Sequence, residues 1–243
     1  MIIKVFSDTW GDNMKNLKEY RDNELKWFLL ANILIMIICS DVFSFGDTID
    51  SWVTGISSIL NVTVFSSAIY ILTFVFDSVV PSQLKVKLVF WWKKQPSYSI
   101  FSDMERKFED NRFTLDDAKK EYAKIYEIIK NKQKDYDQTP FWYEIYNCHR
   151  DNTIVFGSNR DYLLLRDMHA QTIMLLLAYI LLSHMSDIIT FSWAYFSYLV
   201  FMTLALNIAA RVQGKRLMYN VLSIDINHKK LTKHSDLVEE KND

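Results

Sequence analysis

From Trp52 to Phe76 the chain reads WVTGISSILNVTVFSSAIYILTFVF, 25 residues without Asp, Glu, Lys, Arg or His. As a helix this run rises about 37 Å at ~1.5 Å per residue, enough to cross a hydrocarbon core of ~30 Å. The core helix of a soluble protein rarely needs so long an uncharged run. The stretch predicts a membrane span. The rest of the chain must then supply its flanks, its neighbours and its topology.

The charges agree with that assignment. The 28 basic and 29 acidic residues nearly vanish from 27–40, 52–76 and 168–210 and crowd the remainder, a segregation that an average hydropathy near zero conceals. A net charge of −1 gives no global attraction to nucleic acid, and no nucleic-acid partner is expected. Five Gly and three Pro leave few breaks, so the helices should be long. Two cysteines, Cys39 and Cys148, make no disulfide framework. The polar first 26 residues and the absence of a small-x-small site at Ser40–Phe43 predict that the first apolar run stays as an anchor.

In chain order, residues 1–26 read as a cytoplasmic segment, with Asn23 a candidate cap for the helix that follows. Trp27–Ser40 is a first span, extended toward Phe45. It forms a hairpin with Trp52–Phe76 through the turn at Gly46–Asp50, so that 27–80 is one membrane unit. Between 84 and 94 the sequence LKVKLVFWWKK places Leu84, Leu88, Trp91 and Trp92 on one helical face. Lys85, Lys87, Trp91, Trp92, Lys93 and Lys94 are candidate lipid-headgroup contacts, the alternative being snorkelling lysines on an extended span.

Residues 81–167 then read as a cytoplasmic helical domain. Ser102–Glu105 and Thr114–Asp117 have the spacing of capping boxes. Leu115, Ala118, Tyr122, Ile125 and Ile129 recur at helical spacing through Lys130. Thr139-Pro140 opens an aromatic helix. Thr153–Phe156 reads as a short extended stretch closed by Gly157, with Ser158 capping a helix that runs unbroken into the third span.

The apolar run 168–210 would be about 65 Å long as one helix, roughly twice the ~30 Å core, so it must fold back. Ser186-Asp187 is the expected turn between spans Met168–Met185 and Ile189–Ala210. Residues 211–243 form a cytoplasmic tail, with 212–232 amphipathic and the last ten residues disordered. The connections at 46–51 and 186–188 carry acids and no Lys or Arg, whereas Lys and Arg flank the opposite ends. The positive-inside rule therefore predicts an all-α membrane protein of two transmembrane hairpins, four spans, joined by a cytoplasmic helical domain, with both termini inside. The two hairpins are not visibly alike, which weakens an inverted-repeat transporter.

Constellations for chemistry fail one by one. His149-Arg-Asp151 has part of a kinase catalytic loop, but the glycine-rich loop, strand lysine and downstream Asn are missing. Cys148 and His149 are adjacent and diverge on a helix; His169 and His184 stand about 22 Å apart along one helix and cannot share an ion. Asn61-Val-Thr63 spells a glycosylation site at mid-membrane, where it has no meaning. No enzyme activity, cofactor or metal is expected.

Two polar sets invite a functional reading. Thr63, Ser66, Ser67, Tyr70, Thr73 and Asp77 fall along one side of the second span, as interhelical hydrogen-bond glue or as the lining of an oligomeric pore. Arg160, Asp161, Arg166 and Asp167 stand where the cytoplasmic helix enters the third span. They form a candidate coupling belt able to reach Asp77, Lys85 or the Phe141–Tyr146 aromatics, or simply a structural ion-pair belt.

The hairpin Trp27–Phe76, the helices Asp103–Arg150 and the hairpin Met168–Ala210 together resemble the small four-span membrane effectors of bacterial anti-phage defence systems. The likeness is one of layout and transfers no motif. It implies a homo-oligomer in the bacterial inner membrane that disturbs the lipid bilayer once a cytoplasmic cue or soluble partner engages the middle helices. A membrane anchor or sensor that recruits a soluble cytoplasmic protein is the alternative expectation, and a small transporter a third.

Overall fold

Thr114 illustrates how local chemistry starts the helices of this chain. Its hydroxyl accepts the Asp117 N–H, and the Asp117 carboxylate accepts the Thr114 N–H in return, so two orphan donors are satisfied at once. The computed structural model describes residues 2–39, 78–131, 136–185 and 191–239, with 64, 67–68, 70–71 and 74–75 between. It contains α1 (Ile2–Cys39), α2 (Ser82–Val89), α3 (Pro96–Arg106), α4 (Leu115–Glu121), α5 (Ala123–Asn131), α6 (Thr139–His149), α7 (Thr153–Met185) and α8 (Trp193–Glu239), and no strand among the described residues. Most of the second span, the turns at 46–51 and 186–188, and Thr63, Ser66, Thr73 and Asp77 lie outside the described residues.

Two helices among the described residues, Thr153–Met185 and the Trp193–Lys233 part of α8, are long and apolar enough to cross a membrane by length and composition. α7 does run unbroken from polar sequence into the third apolar segment.

Several expected boundaries move. α1 passes through Asn23 without a cap. Ser102 lies inside α3, whose start is set by Pro96, so the expected box at Ser102–Glu105 does not begin a helix. The Leu115–Lys130 helix is broken at Tyr122, whose φ of −111° and ψ of 31° leave the helical region. Thr153–Phe156 is helical, not extended. The Asn152 side chain takes the Ile154 N–H and its carbonyl takes the Phe156 N–H, so the cap falls at Asn152 instead of Ser158. α2 stops at Val89, and a turn closed by Lys93 N–H on Phe90 O replaces the helix expected through 94. The backbone is helical through Glu239, where a disordered tail was expected.

The chain divides into two compact units. Unit 1 comprises residues 1–89 and 163–210. Its core joins Leu29, Ile33 and Met36 of α1 to Leu175 and Tyr179 of α7 and to Tyr195 and Leu199 of α8. Tyr195 donates to the Asn32 carbonyl at 3.1 Å, and the Tyr179 hydroxyl accepts the Ser192 N–H at 2.6 Å. Unit 2 comprises 90–162 and 211–243. In it α3 packs on α5 and α6 around Phe101, whose ring meets Tyr122, Tyr126 and Phe141 edge-on at 5.3, 6.0 and 5.6 Å. Leu217, Val221, Leu222 and Ile226 of α8 are also buried.

Candidate functional site

Unit 1 exposes apolar side chains in stripes around its apolar core. Trp27, Leu30, Leu34 and Ile38 form an exposed stripe on α1, and Leu177, Leu181 and Met185 one on α7. Phe201, Leu204 and Ile208 repeat the pattern on α8. Each exposed side chain forgoes about 1.5–3 kcal/mol of burial in water, and the spacing repeats that loss along whole helix faces. Meanwhile Asn32, Lys85, Arg166, Asp167, His169, Gln171, Thr172 and Asn207 are buried. Polar residues held inside an apolar shell are the pattern lipid imposes.

Among these buried groups, one carboxylate gathers three cations. Arg166 donates to Asp167 Oδ1 at 2.9 Å through Nε, and its Nη1 reaches the Ser82 hydroxyl at 3.1 Å. Arg21 stands 3.5 Å from Asp167 Oδ2, and Lys85 3.8 Å from Oδ1. Asp167 is fully buried, and the Arg166 and Lys85 side chains are 6% exposed. The cluster therefore ties α1, α2 and α7 together through Asp167, with Asp22 a second acid 3.4 Å from Arg21. Beside it in sequence, His169 meets Asn207, whose Nδ2 donates to His169 Nε2 and to the Val89 carbonyl, each at 3.1 Å. The arrangement is an ionic and hydrogen-bonded latch, with no nucleophile placed against a base.

Comparison with protein-family models, curated proteins and solved structures finds no match. The site therefore rests on its own geometry.

The expected coupling belt splits. Arg166 and Asp167 come together with Lys85, one of the partners considered for them, and with Arg21 and Ser82, which were not foreseen. Arg160 and Asp161 pair with each other at 2.8 Å in unit 2, both substantially exposed. Lys85 is lost from the headgroup set, because its ammonium is buried on Asp167; Lys87, Trp91, Trp92, Lys93 and Lys94 are exposed. Of the second-span face, Ser67 is exposed and Tyr70 packs against the unit 1 core; the other four residues lie outside the described residues.

Unit 2 holds a second buried carboxylate that sequence reading missed. Asp225 of α8 accepts Tyr122 Oη at 2.7 Å and Lys229 Nζ at 2.7 Å, and pairs with His149 Nε2 at 2.8 Å. Burial alone would raise its pKa; the hydrogen bonds from Lys229, Tyr122 and His149 prevail and hold it below the usual carboxylate range. Burial, with the Asp225 charge beside it, drives the Tyr122 phenol in the opposite direction, far upward. The signal was present: Leu217, Val221 and Asp225 share a helical face, so an acid stood on an otherwise apolar stripe. His149 is engaged by this acid, and among the described residues no group of His, Cys, Asp and Glu has the makings of a metal site.

Proposed function

We propose that this chain is a multi-span protein of the bacterial inner membrane, four spans with both termini inside, that oligomerises and permeabilises the bilayer. Unit 2 is its cytoplasmic control module. One observation carries the reading: unit 1 turns apolar faces outward while burying several polar side chains and the Asp167 cluster, taken together as one seam. Separation of α1, α2 and α7 along that seam exposes Arg166, Gln171 and Thr172 to water and creates a wet path through an apolar shell. The proposed path runs along this buried seam; of the pore face expected on the second span, Ser67 and Tyr70 are the described members. The role in anti-phage defence is the one the architectural resemblance implies.

The test does not need the natural trigger. Asp167→Asn removes the acid that offsets three cations and should unlatch the seam, so vesicles of phosphatidylcholine and phosphatidylglycerol containing the variant release trapped carboxyfluorescein while the parent protein holds it. Cross-linking in the same vesicles should give oligomers. Tight vesicles with both proteins, and a monomer throughout, overturn the proposal.

The anchor-and-recruiter reading draws support from unit 2 having its own core around Phe101 and Tyr122. Under it, exchanging the hairpins for unrelated spans preserves function; under the permeabilising reading it abolishes function.

A further inference from the structure

Unit 2 contains a cavity of about 450 Å³ between the 90–95 turn, α3 and the Arg211–Tyr219 stretch of α8. Six cations line it: Lys93, Lys94, Arg106, Lys107, Arg211 and Lys215; Asp103 is the one acid on its wall. Glu109, outside the lining, pairs with Lys107 and Lys215, and those contacts hold its carboxyl down to about 2. The wall still carries a clear positive excess. Phe90, Pro96, Ile100 and Tyr219 supply apolar surface beside these charges.

The cations are positioned. The Arg211 guanidinium lies 3.9 Å over the Trp92 ring and 5.9 Å from Phe90. This cation–π contact holds the Arg211 guanidinium at the cavity wall, and a guanidinium presents a fork of N–H donors that a phosphate can take bidentately. Lys94 is held 4.1 Å over Tyr98, and Lys215 near Tyr219 at 5.8 Å. The volume exceeds that of a bare inorganic anion and falls within the range of small organic ligands. Both walls also begin where apolar sequence stops: Phe90 follows Val89, and Arg211 follows the 193–210 run directly.

We infer that this cavity binds a phosphate ester with an organic body, Arg211, Lys93 and Lys94 taking the phosphate and Phe90 and Tyr219 the body. Two sources share that chemistry, a lipid headgroup and a soluble nucleotide. The inference stands apart from permeabilisation, since it concerns unit 2 alone and is read by binding.

The full chain in neutral detergent is titrated by calorimetry with three probes: short-chain phosphatidylglycerol, short-chain phosphatidylcholine and adenosine monophosphate. Phosphatidylglycerol or adenosine monophosphate should bind, and raising salt from about 0.1 M to about 1 M, which shortens the Debye length from about 10 Å to about 3 Å, should weaken it. Phosphatidylglycerol alone identifies the lipid source. Adenosine monophosphate binding, displaced by excess of itself but not by phosphatidylglycerol, identifies the soluble one. Arg211→Gln, and Lys93→Gln with Lys94→Gln, should each weaken binding about tenfold or more, the loss of one charge-assisted hydrogen bond. Lys120→Gln, exposed and remote from the cavity lining, should not, and all variants should keep the parent's helical circular dichroism and melting. Equal binding of phosphatidylcholine, no binding of either anionic probe, or an equal loss in Lys120→Gln overturns the inference.

Discussion

Asp167 shows how much one buried side chain decides. Its buried carboxylate pairs with Arg166 and Lys85, both 6% exposed, and with Arg21, which also reaches Asp22. Asp167→Ala should therefore destabilise unit 1 by about 3–5 kcal/mol, since the penalty is that of stranded cations and not merely of a lost pair. Thermal unfolding in detergent measures it. Lys85→Met, which removes one of three cations and leaves the acid paired, should cost much less; equal losses would mean that Lys85 is the principal partner. In unit 2, Asp225→Asn removes the acceptor shared by Tyr122, His149 and Lys229. It should lower the melting temperature and also flatten the acid side of the stability profile. The sign is fixed by direction: a carboxyl held below its ordinary value in the fold contributes above its unfolded pKa, and that contribution fades as pH falls through the folded one.

At the scale of elements, the Thr114 box and Gly214 give separate tests. Thr114→Ala should cost about 1 kcal/mol, the usual value of an N-cap, by leaving first-turn N–H groups of α4 without acceptors. The Asp117 partner of that cap also accepts Lys230 at 2.6 Å, and these hydrogen bonds lower its pKa to about 2. Its stabilising effect is then complete above the ordinary Asp value of about 3.9 and is lost as pH drops toward the folded value. Asp117→Asn should erase that acid limb while leaving stability near neutral pH only modestly lower; denaturant melts between the two pH values decide it. Gly214 is where α8 passes Tyr162 of α7, and a Cβ there would lie 3.2 Å from Tyr162 Cε2 and 3.6 Å from Phe90 Cζ. Gly214→Leu should disrupt this packing by an overpacking penalty of about 1–3 kcal/mol, whereas Gly157→Ala, with open space at its Cβ, should be tolerated.

For the whole molecule, the proposal assigns the exposed apolar stripes on α1, α7 and α8 to lipid. The chain should sediment with membranes from a lysate made without detergent and resist extraction by alkaline carbonate; recovery in the supernatant would remove the basis for the functional proposal. Much of this was legible in advance. The nearly uncharged run at 168–210, the Thr114–Asp117 box, the Pro140 start and the unbroken entry of α7 into its apolar segment all depend on neighbours within a few turns, and local spacing reports them. The misreadings share a cause. Val155 and its β-branched neighbours read as extended, yet tertiary burial and the Asn152 cap make them helical. Lys85 among leucines and tryptophans reads the same whether its ammonium reaches a headgroup or a buried acid, and Asp225 reveals its acceptor role only once α4, α6 and α8 meet. By itself the sequence determined that the chain holds long apolar helices and where several helices start, because hydropathy and capping are short-range. Which charges are buried, and on which partners, was decided only by the tertiary structure, because a charge can leave water only where a distant part of the chain supplies its counter-charge.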